Sequence, residues 1–269
     1  MHCEFSKICY YWISHLKSKK ILVEEPKQIK KIFKKTGKII YDYQLLKPND
    51  KVLIALSGGK DSLIMLESLA ERKKSLPFKI ELIAVHIHID NVGYATNLDF
   101  LEEFCRKQNV PFHVDHFSID LEKDPKKSTC FICSWNRRKR IFELTKEFGC
   151  NKLAFGHHLD DALETLFMNM MYHGSISSLP QKFFMFEGRV EVIRPLLNIE
   201  EKELINFAEI RNYPKDLKSC PHEDKTKRKK TREIIDLMQS HYDRSKLNMF
   251  RSMDNIYGDY LPKKVRSGK

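Results

Sequence analysis

The chain has 269 residues and carries 48 lysines and arginines against 36 aspartates and glutamates, a formal net charge of +12. That length suits one α/β domain of ordinary size with extensions, and it can bury a sizeable core. The excess positive charge favours a polyanionic partner, nucleic acid before membrane, and no apolar run approaches a membrane span.

Ile8 to Ile13 is too short and too aromatic for a secretory signal core, so a cytoplasmic location is expected. Residues 1–46 read as a basic helical extension in which Ile29, Ile32, Phe33, Thr36, Ile40 and Tyr43 share one packing face. From Lys51 strands and helices alternate. The pattern predicts a strand at 52–56, a helix at 61–72, a strand at 79–88, a helix at 96–108 and a strand at 111–115. A polar loop, a helix at 130–148, a strand at 152–155 and a helix at 159–172 follow. Such alternation with short connections is the mark of an α/β fold with a doubly wound parallel sheet, here expected over residues 47–215.

Beyond residue 173 the pattern changes. Residues 183–186 and 190–194 flank Glu187-Gly188-Arg189 as a hairpin, and Asn198 with Glu201 predicts a capping box opening a helix at 199–211. Residues 216–269 read as a basic helical region, with a dense run at 224–232 and a last helix ending near Met238.

Three stretches carry chemistry. The first, Ser57-Gly58-Gly59-Lys60-Asp61-Ser62, lies between the strand Val52–Leu56 and a helix. A strand-to-helix turn aims unpaired N–H groups and the positive end of a helix at one point, which suits a phosphate. It is not a Walker loop. That motif needs glycine where Ile54 stands and Ser or Thr where Asp61 stands. The bland alternative is a solvated loop.

The second stretch, Gly156-His157-His158-Leu159-Asp160-Asp161, also follows a strand and opens a helix. Its carboxylates could hold Mg2+ and its imidazoles could donate to phosphate, whereas ordinary capping explains only one of the aspartates. Leu159, Ala162, Leu163, Leu166, Phe167, Met170 and Met171 mark the helix's buried stripe, so the methionines, Met168 included, are expected in the core.

The third is cysteine. Seven cysteines, an odd number, argue for metal or redox chemistry rather than a disulfide framework. Cys130 and Cys133 fall one turn apart on a helix beside Arg137, Arg138, Lys139 and Arg140, a setting that favours thiolate. Alone, the pair could be a zinc half-site, a redox dithiol or cluster ligands. With Cys220 the three fit a closed four-ligand zinc site poorly, and an iron–sulfur cluster with one open iron better. Cys105 and Cys150 read as small core residues.

SGGKDS resembles the PP-loop of the N-type ATP pyrophosphatases, which implies adenylation with release of pyrophosphate. With the paired cysteines, GHHxDD and a single late cysteine in that order, the chain resembles the tRNA 2-thiocytidine synthetase group over residues 28–255. Arg194-Pro195-Leu196, Ser219-Cys220-Pro221 and Asn248 to Ser252 add to the likeness. The resemblance implies ATP on Ala55, Ser57, Gly58, Gly59, Lys60, Asp61, Ser62, His86, Gly156, His157, Asp160 and Asp161, with the base read near Val85 to Ile87. It implies Mg2+ on Asp61 with Asp160 or Asp161, and a 4Fe–4S cluster on Cys130, Cys133 and Cys220, which act in catalysis with Lys60 and Asp61.

The implied product is 2-thiocytidine at tRNA position 32. The implied partners are tRNA, a second copy of the chain, and a sulfur donor: sulfide, a cysteine desulfurase persulfide or a carrier. The tRNA would lie on Arg137, Arg138, Arg140, Lys227, Arg228 and Lys229, although such runs can be solvated helix faces. Cys3 and Cys9 lack a matching second pair, which argues against the zinc-finger 2-thiouridine branch. The residues after Cys220 depart from the commonest bacterial pattern, which keeps a uridine open as the target. A ligase of lysidine synthetase type and a zinc-stabilised RNA-binding module compete with the thiolating enzyme as readings of the same residues.

Overall fold

The structure, a computed structural model, describes residues 25–92, 96–120, 129–214 and 227–262. Helix α1 (Lys27–Asp42) is followed by β1 (Lys51–Ala55), α2 (Lys60–Ser75), β2 (Glu81–Ile89), α3 (Leu98–Lys107) and β3 (Phe112–Phe117). Next come α4 (Thr129–Glu147), β4 (Lys152–Ala154), α5 (Leu159–His173), β5 (Lys182–Met185), β6 (Val190–Ile193), α6 (Glu201–Ile210), α7 (Lys227–His241) and α8 (Ser245–Ser252). The strands form one sheet in the order β3-β2-β1-β4-β6-β5. All neighbours are parallel except β5 and β6.

Side-chain alternation along the strands divides the core between the two faces. Val52, Ile54, Leu82 and Ala84 pack with α1, α2, α3 and α6, while Leu53, Val85, Ile87 and Ile89 pack with α4. The segment expected as an extension supplies Ile29, Ile32, Ile39 and Ile40 to the first of these cores. Strand order reverses between β1 and β4, so the crevice beyond the carboxyl end of β1 is the switch point where ligands bind in such sheets. At the amino ends of the central strands, opposite that crevice, Lys152 is buried between its register partner Glu191 and Asp50, a paired charge inside the sheet.

The expected hairpin forms, and its turn places Phe186, Glu187 and Gly188 at positive φ. Two expectations fail. Helix α6 starts at Glu201 rather than 199, and Asn198 does not cap it. Its first N–H is instead taken by a carboxylate from another helix, Asp160 Oδ2 at 2.7 Å from Glu201 N. Met170 and Met171 are 46% and 44% exposed. Ile235 of α7 and Phe250 of α8 cover only the first turns of α5, against Leu159, Ala162, Leu163 and Leu166, so the methionine end of the stripe has no described surface to meet. Among the described residues, no helix is long and apolar enough to cross a membrane.

Candidate nucleotide-binding site

One residue past β1, Leu56 N–H still donates to Val85 O at 2.9 Å, so β2 steadies the chain up to the turn. Gly58 then adopts φ +91°, which glycine alone reaches without strain, and a Cβ there would lie 2.8 Å from Thr96 Cγ2. Ser57 Oγ accepts from Gly59 N–H at 3.3 Å and donates to Ser62 Oγ at 3.1 Å; Ser62 Oγ donates in turn to Gly59 O at 2.8 Å. The hydroxyls thus brace the turn from inside. No side chain caps α2, and an uncapped helix start keeps unsatisfied N–H groups for an anion.

Lys60 Nζ rests between Glu201 (3.1 Å) and Asp61 (3.3 Å). Burial works against its charge, but the two carboxylates outweigh that and raise its pKa. Burial raises the pKa of Asp61, with Lys60 and His158 opposing. Asp61 Oδ1 is buried and makes no hydrogen bond, so a hard cation fits there. Glu201 belongs to this site. Sequence spacing suggested only a capping role for it, because its place beside Lys60 comes from α6 folding back over α2.

The second turn is closed. Asp161 Oδ2 accepts from His158 N–H at 3.0 Å and caps its own helix. Asp160 caps α6 with one oxygen and takes Lys246 Nζ at 2.8 Å with the other. Burial disfavours the Asp160 carboxylate, yet Lys246 and the Glu201 N–H hold its pKa below the usual range. Both Asp160 oxygens are therefore engaged within the protein. Gly156 is where the two turns meet: a Cβ would stand 3.0 Å from Asp61 C and O and 3.1 Å from Ser62 N. His157 receives a long hydrogen bond from Arg194 Nε (3.4 Å). Burial, reinforced by Arg194 and Arg138 against the pull of Asp161, lowers its pKa to about 4, so it is neutral at neutral pH. Arg194 is lowered to about 10 by burial and by Arg138.

A cavity of about 250 Å³ opens beside the phosphate turn. One side is Ala55, Leu56 and Ser57 with Val85, His86 and Ile87 of β2; the other is Ser134, Arg137, Arg138 and Ile141 of α4, with Phe155 between. His86 is fixed by Nδ1–H donating to Leu56 O at 2.8 Å. Cys133, partly buried against the core that holds Val85 and Ile87, adjoins Ser134 in this wall. Cys130 lies three residues earlier on the same helix, its side chain outside the described residues, as are Cys220, Cys3 and Cys9. A thiol at the opening of α4, beside the cavity, suits a soft metal or cluster. Cys105 and Cys150 are buried core residues whose thiols burial pushes up to about 12 and about 11, which leaves them inert.

The six expected tRNA contacts are distributed differently from one another. Arg137 and Arg138 line the cavity. Arg140 departs from the expectation: it makes a bidentate pair with Asp115 on β3 (2.8 and 2.7 Å) and reaches Glu147 at 2.8 Å, so its charge joins α4 to the sheet. Arg228 leans over Glu164 (3.7 Å) and Asp161 (3.9 Å). Lys229 is exposed on α7, and the side chain of Lys227 lies outside the described residues. Arg232, at 2.7 Å from buried Glu164, ties α7 to α5.

The family profile described as a PP-loop domain matches residues 23–235. A tRNA-cytidine(32) 2-sulfurtransferase of Aliivibrio fischeri is 35% identical over 86% of this chain and 76% of that one. Its namesake from Alcanivorax borkumensis is 36% identical over 84% and 81%. Among solved structures, the U34-tRNA thiolase NcsA from Methanococcus maripaludis with its 4Fe–4S cluster superposes with a TM-score of 0.71 and 26% identity, covering 89% of this chain and 81% of that one.

Proposed function

Because the chain belongs to the PP-loop family and carries the family's glycine-rich turn at Ser57–Ser62, we propose that it is an ATP-dependent tRNA sulfurtransferase. Its substrate is a tRNA cytidine, at position 32 as in the relatives' names, and its product is 2-thiocytidine. The observation that carries this reading is the cavity. It joins the phosphate turn to α4, the helix that opens with Cys130 and Cys133, through Ser134, Arg137, Arg138 and Ile141 in its lining.

ATP places its pyrophosphate on the turn and the start of α2, and its base along β2 at Val85 to Ile87. Lys60 moves from Glu201 and Asp61 onto the phosphates, where a preorganised cation stabilises the charge that develops as pyrophosphate leaves. The C2 oxygen of the cytidine bonds to the α-phosphorus, and the bond to pyrophosphate breaks with its electron pair. Oxygen alone is a poor leaving group from the ring; as part of AMP it is a good one. Sulfur then bonds to C2, and AMP departs with the original oxygen. Asp61 would hold Mg2+, which offsets phosphate charge. Cys130, Cys133 and Cys220 would hold a 4Fe–4S cluster, which when bound supplies the sulfur, itself drawn from sulfide, a persulfide protein or a carrier. Arg137 and Arg138 face the nucleotide rather than distant RNA, and the exposed side of α7 at Lys229 meets the tRNA backbone.

Nucleoside mass spectrometry of tRNA from a deletion strain tests the reading. 2-Thiocytidine is absent, returns with the wild-type chain and does not return with Cys220→Ala. Unchanged 2-thiocytidine in the deletion strain, or full activity in an anaerobically purified, iron-free protein, would overturn it.

A further inference from the structure

On the α3 side of the sheet, at the carboxyl ends of β2 and β3, stands a cluster that the nucleotide chemistry leaves unused. His88 and His116 are register partners on adjacent strands, with ring centroids 5.0 Å apart, and Asp90 follows β2 directly. Strand pairing brings the imidazoles together, because directly opposed residues point to the same face. Asp90 Oδ1 lies 3.0 Å from His116 Nδ1 and 3.8 Å from His88 Nε2. All three donor atoms fall within 4.8 Å of one another.

We propose that His88, Asp90 and His116 form a binding site for a divalent transition-metal ion of the zinc class, separate from the nucleotide and cysteine chemistry. A tetrahedral ion with nitrogen and oxygen ligands near 2.1 Å sets those ligands roughly 3.4 Å apart. The two separations to Asp90 bracket that value. The donor set decides the metal. Two imidazoles and one carboxylate suit Zn2+, Co2+, Ni2+ or Fe2+, whereas Mg2+ and Ca2+ prefer oxygen alone and Cu+ prefers sulfur.

His88 Nε2, 3.8 Å from Asp90, is too far for a direct hydrogen bond, and an ion between the two would bridge that gap. Three protein ligands leave a coordination position for water, and the ion ties the end of β2, whose Val85 to Ile87 border the cavity, to β3.

The test is titration of the full-length, cluster-loaded protein with Co2+, read by difference absorption. Histidine and carboxylate ligation gives only visible d–d bands, whereas thiolate ligation adds an intense near-ultraviolet charge-transfer band. One ion per chain with d–d bands and no new charge transfer is expected, together with a metal-dependent rise in thermal midpoint. His116→Gln and Asp90→Asn alter exposed side chains and leave the fold intact by circular dichroism. Each is expected to weaken Co2+ at least tenfold and to abolish the thermal shift. Absence of such bands in the wild type, or equal affinity in both variants, would overturn the proposal.

Discussion

Two glycine-bearing strand-to-helix turns face each other across Gly156. At Ser57–Ser62 the helix begins with no side-chain cap, and the lysine rests on two carboxylates from which it can move. At Gly156–Asp161 one carboxylate caps its own helix and the other caps α6 while binding Lys246. The same local grammar therefore leaves one helix start uncapped and closes the other into a clamp. The clamp holds α5, α6 and α8 in place around the open turn, and through Glu201 it sets where Lys60 waits.

Removing the mobile cation gives the largest expected effect. Lys60→Ala lowers pyrophosphate release in the presence of tRNA about 10³-fold, about 4 kcal/mol of transition-state stabilisation. Retention of near wild-type turnover would erase the distinction between the turns.

His157 separates them by pH. Its folded pKa of about 4 lies below the ordinary 6.5, so between those values the unfolded chain binds more protons than the folded one. Stability from this residue is complete above pH 6.5 and falls as the solution is acidified towards pH 4, by about 3 kcal/mol. Urea midpoints across that window are expected to flatten in His157→Gln; an identical slope in the variant would refute the burial account.

Gly156→Ala tests the seam. Its Cβ meets backbone at 3.0 Å, which costs about 1–3 kcal/mol of stability and, by displacing Asp61 and Ser62, lowers turnover about 10²-fold. The smallest effect is at the clamp. Asp160→Asn is expected to remove about 1 kcal/mol of cap stabilisation without changing the Mg2+ requirement, whereas Asp61→Asn raises that requirement. A matching rise in Asp160→Asn, measured by Mg2+ titration of turnover, would return Asp160 to the metal site.

Much of this architecture is legible in the chain. Periodic apolar residues locate every strand of the sheet, and the two motifs fall at the carboxyl ends of β1 and β4, as their glycines and flanking patterns require. The misses have a common cause. Asn198 and Glu201 are spaced as a capping box, yet Asp160, 41 residues away, wins the N–H. Met170 and Met171 continue a helical stripe, but periodicity does not say where the covering surface ends. Arg140 reads as one of a basic run until Asp115 on β3 is placed opposite it.

Residue order by itself determined the elements and the uncapped glycine-rich turn, because these depend on backbone freedom and side-chain type within a few neighbours. Tertiary structure alone decided which charges are spent internally and which remain for a ligand. It paired Lys60 with Glu201, engaged Asp160, left Asp61 Oδ1 without a partner and brought His88 beside His116. The physical reason is that a carboxylate or a ring is claimed by the nearest complementary group in space. That neighbour comes from sheet order and helix docking rather than from spacing along the chain.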